Sequence, residues 1–249
     1  MKIRGAFMAS VGFVASIFVA WEFAIHIAHL PAVVMPSPTR VCSVLVERAG
    51  EIAYHAGVTA GEAMAGYALA NVLALTMALC FLWFPVSETI VAPWAVVIKN
   101  VPFVSVASIL LITLGDTLAP KLLIVVLVCF FPLLSNLSKG LRAADTVLLD
   151  RMRVLCATRW QVFRKVLWPA AVPYYLAAHE SAFTASIVGA IVAEWFFSRK
   201  GLGYLIVQAT VDYRSDLLYA VNLVAGGMAL AAYISCKLVA RRLLRWQEL

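Results

Sequence analysis

Charge is scarce in this sequence: 13% of its 249 residues are Asp, Glu, Lys or Arg, against 63% hydrophobic. A soluble domain carries about twice that share of charge, so an ordinary water-facing globule is excluded. Chemistry-bearing motifs are missing as well. No Gly-x-x-x-x-Gly-Lys-Ser/Thr loop is present to cradle nucleotide phosphates. There is no His-Glu-x-x-His, no Cys-x-x-Cys and no Gly-x-Ser-x-Gly, and nothing sets the serines, histidines and acids into a triad. The five cysteines (Cys42, Cys80, Cys129, Cys156, Cys236) lack metal-ligand spacing and read as small apolar fillers. An enzyme is therefore not expected, nor a metal or cofactor held by this chain. The net charge of +7 does not point to nucleic acid, because the bases lie between and after apolar runs rather than in a stripe.

What is present is oil in long runs, with a mean hydropathy of +0.93. The runs predict a polytopic all-α membrane protein with six spans. The first covers roughly Phe7 to Leu30. It carries Glu22, His26 and His29 on one face, and is read as a retained helix rather than a cleaved signal. Ser37-Pro38 then opens an interfacial amphipathic helix. The second span, about Ala63 to Phe84, is rich in small residues that allow close helix approach. The third, Thr89 to Leu114, is broken by Pro93 and by Asn100-Val101-Pro102, with Lys99, Asn100, Ser105 and Ser108 at the break. Broken helices with polar groups at mid-depth mark substrate routes in transporters, the alternative being a kink satisfied by neighbouring helices. The fourth span is about Leu118 to Leu137. The fifth, Tyr174 to Phe197, is the most polar, with His179, Glu180, Ser181, Thr184 and Glu194, of which Glu194 is expected to tie the outer end of the span to its loop rather than to meet an anion; the sixth is about Leu217 to Val239.

Between the fourth and fifth spans lies the longest charged interval, Asp145 to Pro173. Val147, Leu148, Met152 and Leu155 recur at helical spacing, as do Val162, Phe163 and Val166, while Arg151, Arg153, Arg159, Arg164 and Lys165 face only Asp145 and Asp150. This predicts short amphipathic helices at the membrane surface, a turn near Cys156–Thr158, and a stop at Pro169 and Pro173. Six spans put both termini on the side of this interval. Thirteen bases lie on that side and six on the other, which makes the interval cytoplasmic.

The segment Asp150 to Pro173 resembles the signature loop of bacterial ABC importer permeases. Asp150 stands for the family's Glu, Cys156 for its Gly, Ala157-Thr158-Arg159-Trp160 follows as in Gly-Ala-Ser-Arg-Trp, and Trp168-Pro169 replaces Leu-Pro. Met35-Pro36-Ser37-Pro38, Lys99-Asn100-Val101-Pro102, Phe130-Phe131-Pro132, Ala193-Glu194 and Gly201-Leu202-Gly203-Tyr204 resemble the nitrate/sulfonate/taurine-type branch, in the right order. Arg151, Met152 and Cys156 depart from the pattern; cysteine tolerates the left-handed turn poorly, so the turn is either built differently or the docking helix runs on.

The resemblance implies a type I ABC importer permease core in residues 59–249, with a coupling loop at about 142–173, preceded by an added helix and connector in 1–58. It implies an inner-membrane protein paired with a second copy. Two cytoplasmic ATPase subunits would hold ATP and Mg, and a periplasmic or lipid-anchored solute-binding protein would deliver a small anionic solute. Asp150, Met152, Leu155, Cys156, Ala157, Arg159, Trp160 and Phe163 would contact the ATPase. Asn100, Ser105, Ser108, His179, Glu180, Ser181 and Thr184 are the expected pathway residues. A second class of reading is a stand-alone proton-coupled transporter or channel using Glu22/His26 and His179/Glu180; a third is a structural scaffold.

Overall fold

The computed structural model describes residues 2–29, 31–196 and 198–244. Leu30 and Phe197, named above, lie outside those residues, as do Arg245, one of the thirteen bases, and the side chains of Phe7 and Lys99. In chain order the helices are α1 (Lys2–Ala28), α2 (Pro38–Glu47), α3 (Ala49–Trp83), α4 (Pro85–Asn100), α5 (Phe103–Leu114), α6 (Leu118–Arg142), α7 (Thr146–Val154), α8 (Arg159–Val162), α9 (Trp168–Trp195), α10 (Leu202–Val211) and α11 (Ser215–Leu243). A π-helical turn, Phe163–Leu167, joins α8 to α9, and no strand occurs among the described residues.

Four helices among the described residues are long and apolar enough to cross a membrane: α3, α6, the continuous Arg159–Trp195 helix and α11. The other two expected spans correspond to α1, 27 residues long, and to the pair α4–α5. Close packing rather than oiliness selects their arrangement, because lipid is as apolar as leucine. On α3 the buried stripe Ala63, Gly66, Ala70, Ala74, Ala78, Phe81 faces α6, whose Val125, Cys129, Leu133 and Leu137 are fully buried. A side chain added at Gly66 would meet Val125 Cγ1 at 2.7 Å, and one added at Gly140 would meet the Cα of Ala171 at 2.8 Å, so α6 is pressed backbone-close to both neighbours. On α9, Ala171, Ala178, Ala182, Ser186 and Ala190 line the matching seam. The N-terminal helices clip onto this core. Glu22 accepts from the Thr39 amide (3.1 Å) and hydroxyl (3.0 Å), Arg40 pairs with Asp216 at 3.1 Å, and Trp21 rests on Tyr219 at 5.6 Å between centroids.

Three expected boundaries move. α3 starts at Ala49 rather than near Ala63. Its 35 residues span about 52 Å at 1.5 Å per residue, against a hydrocarbon core of about 30 Å. One end therefore stands clear of lipid, and that end carries Glu51, His55, Thr59 and Glu62. Pro93 does not break α4; the chain breaks only at Val101-Pro102. Pro169 and Pro173 stop nothing, since the helix begun at Arg159 runs through both. At Pro169 the π turn explains this: Trp168 N–H bonds to Phe163 O, five residues back, so the ladder is already loosened where Pro169 lacks a donor.

Candidate functional site

Asp145 opens α7 by accepting from the Val147 amide at 2.9 Å. The helix closes on Cys156, whose φ is +49°. The Ala157 amide reaches back to Met152 O (3.0 Å) and the Cys156 amide to Arg153 O (2.9 Å), the paired bonds of a Schellman motif. The left-handed turn is thus made at the position expected for glycine, and α7 does not run on. Thr158 and Gln161 then form a reciprocal capping box at the start of α8, with Gln161 Oε1 accepting from the Thr158 amide at 2.8 Å.

No residue of α7 is buried. Val147 is 54%, Leu148 44%, Val154 84%, Leu155 74% and, beyond the turn, Trp160 55% exposed. Asp150 is exposed and paired with Arg153 at 2.8 Å; Arg151 and Arg159 carry no ion pair among the described residues. Met152, Ala157 and Phe163 are half-buried, and Phe163 stacks on Trp160 at 5.3 Å. The eight residues expected to contact an ATPase therefore lie along one stretch from α7 through its turn to the π turn, with Leu155 and Trp160 exposed and Met152, Ala157 and Phe163 half-buried.

The expected pathway residues do not form one cluster. Asn100 is the exposed last residue of α4, Ser105 is exposed on α5, and the half-buried Ser108 hydroxyl donates to Val104 O at 3.2 Å. The cavity at the break, about 560 Å3, is lined by Val101, Phe103, Val106, Leu127, Val128, Phe131 and Pro132, without those polar side chains. On α9 the hydroxyls of Ser181 and Thr184 are spent on their own helix, bonding Ala178 O (3.1 Å) and Glu180 O (2.9 Å), while Glu180 is half-buried. His179 turns inward. Its Nδ1 is hydrogen-bonded to the Tyr67 hydroxyl, and its ring lies 4.3 Å from that of Tyr175, whose hydroxyl donates to Asn71 Oδ1 at 2.9 Å.

Glu194 ties the outer end of the fifth span to its loop, as expected, but it does so within a buried polar lattice, at the end of the molecule opposite α7, whose other members the sequence did not single out. Glu194, 1% exposed, accepts from Thr59 Oγ1 (2.8 Å) and the Gly203 amide (2.7 Å); Thr59 Oγ1 accepts from the Leu202 amide, and the Gly201 amide donates to His55 Nδ1 at 2.9 Å. Beside it Lys121 donates to Glu62 (2.9 Å) and Ser198 (2.8 Å). The lattice joins α3, α6, α9 and α10. Glu62 and Lys121, ionisable residues near the ends of apolar helices, were the available signal.

A polytopic helical core without a catalytic motif, carrying a capped apolar knob at one end, has the build of a transporter's membrane subunit. The chain belongs to the family described as binding-protein-dependent transport system inner membrane component, which matches residues 70–248. It is 28% identical over 235 residues to a probable ABC transporter permease protein of Haemophilus influenzae, covering 94% of this chain and 95% of that one. It is 24% identical to the formylaminopyrimidine transport permease protein ThiX of Halalkalibacterium halodurans (95% and 94% covered). With a putative aliphatic sulfonates transport permease protein, SsuC of Bacillus subtilis, identity is 25% (94% and 86% covered). The crystal structure of an amino acid ABC transporter with histidines shares the fold at a TM-score of 0.68 and 15% identity, over 80% of this chain and 96% of that one.

Proposed function

We propose that this chain is the permease subunit of an ATP-driven importer in the bacterial inner membrane. Two copies would form the pathway for a small, anionic organic solute handed over by a solute-binding protein. Both termini and α7 face the cytoplasm, where two ATPase subunits, holding ATP and Mg, grip the knob. Asp150 orients it, while Met152, Leu155 and Trp160 fill a groove on the ATPase; Cys156 and Ala157 shape the turn, Arg159 stands at the edge of the contact, and Phe163 backs Trp160. Asn100, Ser105 and Ser108 from the broken span, with His179, Glu180, Ser181 and Thr184 from α9, are the side chains we assign to the pathway. The names of the relatives, which concern sulfonates and a pyrimidine, support a small organic solute.

The observation that carries this reading is the knob itself: an amphipathic helix capped at both ends, none of whose residues is buried by its own chain and whose Val147, Val154 and Leu155 are more than half exposed. The stand-alone proton-coupled alternative is weakened because its groups are engaged structurally, Glu22 by Thr39 and His179 by Tyr67. The test is capture of the ATPase by the purified permease. Asp150→Lys with Met152→Lys should abolish capture and uptake while membrane insertion stays normal. Unchanged uptake would remove α7 from the coupling role.

A further inference from the structure

A cleft of about 420 Å3 opens where the return from the knob leans on the corner between α3 and α4. Its walls are Leu82, Trp83 and Pro85 on one side and Ala157, Val162 and Leu167 on the other, with Arg159 at its rim. That volume falls within the range of about 300–1,000 Å3 usual for small-molecule sites. The wall chemistry is that of an amphiphile's partner: six apolar side chains and one cation. Trp83, 43% exposed at the last residue of α3, sets the depth at the membrane–water boundary, where indole rings collect.

The guanidinium of Arg159 has no ion pair among the described residues, whereas Arg142, in the neighbouring cleft on the other side of Leu82 and Pro85, is paired with Glu88. So one cleft has its positive charge already neutralised and the other does not. Arg164 and Lys165, exposed two turns or less from Arg159, add charge of the same sign. A zwitterionic headgroup would gain little there, while an anionic one is complementary.

We infer that this cleft binds one anionic phospholipid, its phosphate on Arg159 and one acyl chain along Leu82, Val162 and Leu167. A lipid seated there bridges the membrane core and the knob, so that leaflet composition would bear on how firmly the knob is held. Placing the site in the cytoplasmic leaflet rests on the function proposed above. The experiment below uses discs with the same lipid on both faces, so its failure leaves the transport reading intact and a failed transport reading leaves it interpretable.

The full chain is placed in phosphatidylcholine nanodiscs containing a minority of either phosphatidylglycerol or phosphatidylcholine brominated on an acyl chain. Trp83 fluorescence is taken as the difference between the wild type and Trp83→Phe. Brominated phosphatidylglycerol should quench Trp83 severalfold more than brominated phosphatidylcholine at equal content. The preference should vanish in Arg159→Gln, persist in part in Arg159→Lys, and be unchanged in Arg241→Gln. Equal quenching by the two lipids, or a preference that survives Arg159→Gln, overturns the inference. So does loss of the preference on adding glycerol 3-phosphate, which would make the occupant a free phosphate compound. Protection of Trp83 from both lipids by the ATPase subunits would instead assign the cleft to their interface and equally overturn it.

Discussion

The amide of Gly203 donates to the carboxylate of Glu194 at 2.7 Å, closing a turn that begins at Gly201. Gly201 has φ +102° and sits over the Glu194 carboxyl group, where any side chain would collide with it. Glu194→Ala removes the acceptor for both Gly203 and Thr59; the Thr59 hydroxyl still has His55 O at 3.2 Å, but the Gly203 amide is left buried without its partner, at about 1–3 kcal/mol. A fall of about 1–3 kcal/mol in stability is expected, read as a lowered thermal midpoint of the detergent-purified protein, with Gly201→Ala acting in the same direction. An unchanged midpoint in both would show that the lattice does not anchor α10.

Lys121 and Glu62 are each 7% exposed and bonded at 2.9 Å, across 59 residues of chain. Lys121→Met strands a buried carboxylate and should destabilise by about 3–5 kcal/mol. Adding Glu62→Leu should recover most of that loss. A double-mutant cycle showing additive effects, without a coupling energy above about 1 kcal/mol, would contradict the direct pairing.

Cys156 holds φ +49° inside the Schellman turn, a conformation that costs an L residue about 1–2 kcal/mol. Cys156→Gly relieves that strain but adds freedom to the unfolded chain, for a net gain of about 0.5–1 kcal/mol. Hydrogen exchange at the Ala157 amide, which bonds Met152 O, should slow in Cys156→Gly and quicken in Cys156→Val. The opposite order would mean that the turn is not what holds the knob closed.

Asn100 ends α4 at the break of the third span. Asn100→Leu should reduce uptake about tenfold or more, equivalent to ~1.4 kcal/mol on the transport barrier, while ATPase capture is retained. Loss of capture would assign Asn100 a structural role, and undiminished uptake would remove it from the pathway.

Much of the architecture was legible in the order of residues. Long apolar runs located the core helices because a segment without charge has one stable place in a membrane, and the Ser37-Pro38 signal located the start of α2, where Ser37 accepts from the Arg40 amide. The knob was legible because its amphipathic period and its arginines stand out against oil. Proline was the unreliable signal. Pro93, Pro169 and Pro173 all sit inside continuous helix, and at Pro169 the π turn at Phe163–Leu167 has already loosened the ladder.

The sequence by itself determined that this is a helical membrane protein carrying the ordered motifs of a permease, because hydropathy and motif order are properties of composition and local order. Only the tertiary structure decided that Glu194, Thr59 and Gly203 form one anchor, that Lys121 meets Glu62, and that His179 turns to Tyr67. Those partners lie on different helices, and which faces meet depends on small-residue seams such as Gly66 on Val125 and Gly140 on Ala171, whose fit is settled only when the helices are pressed together.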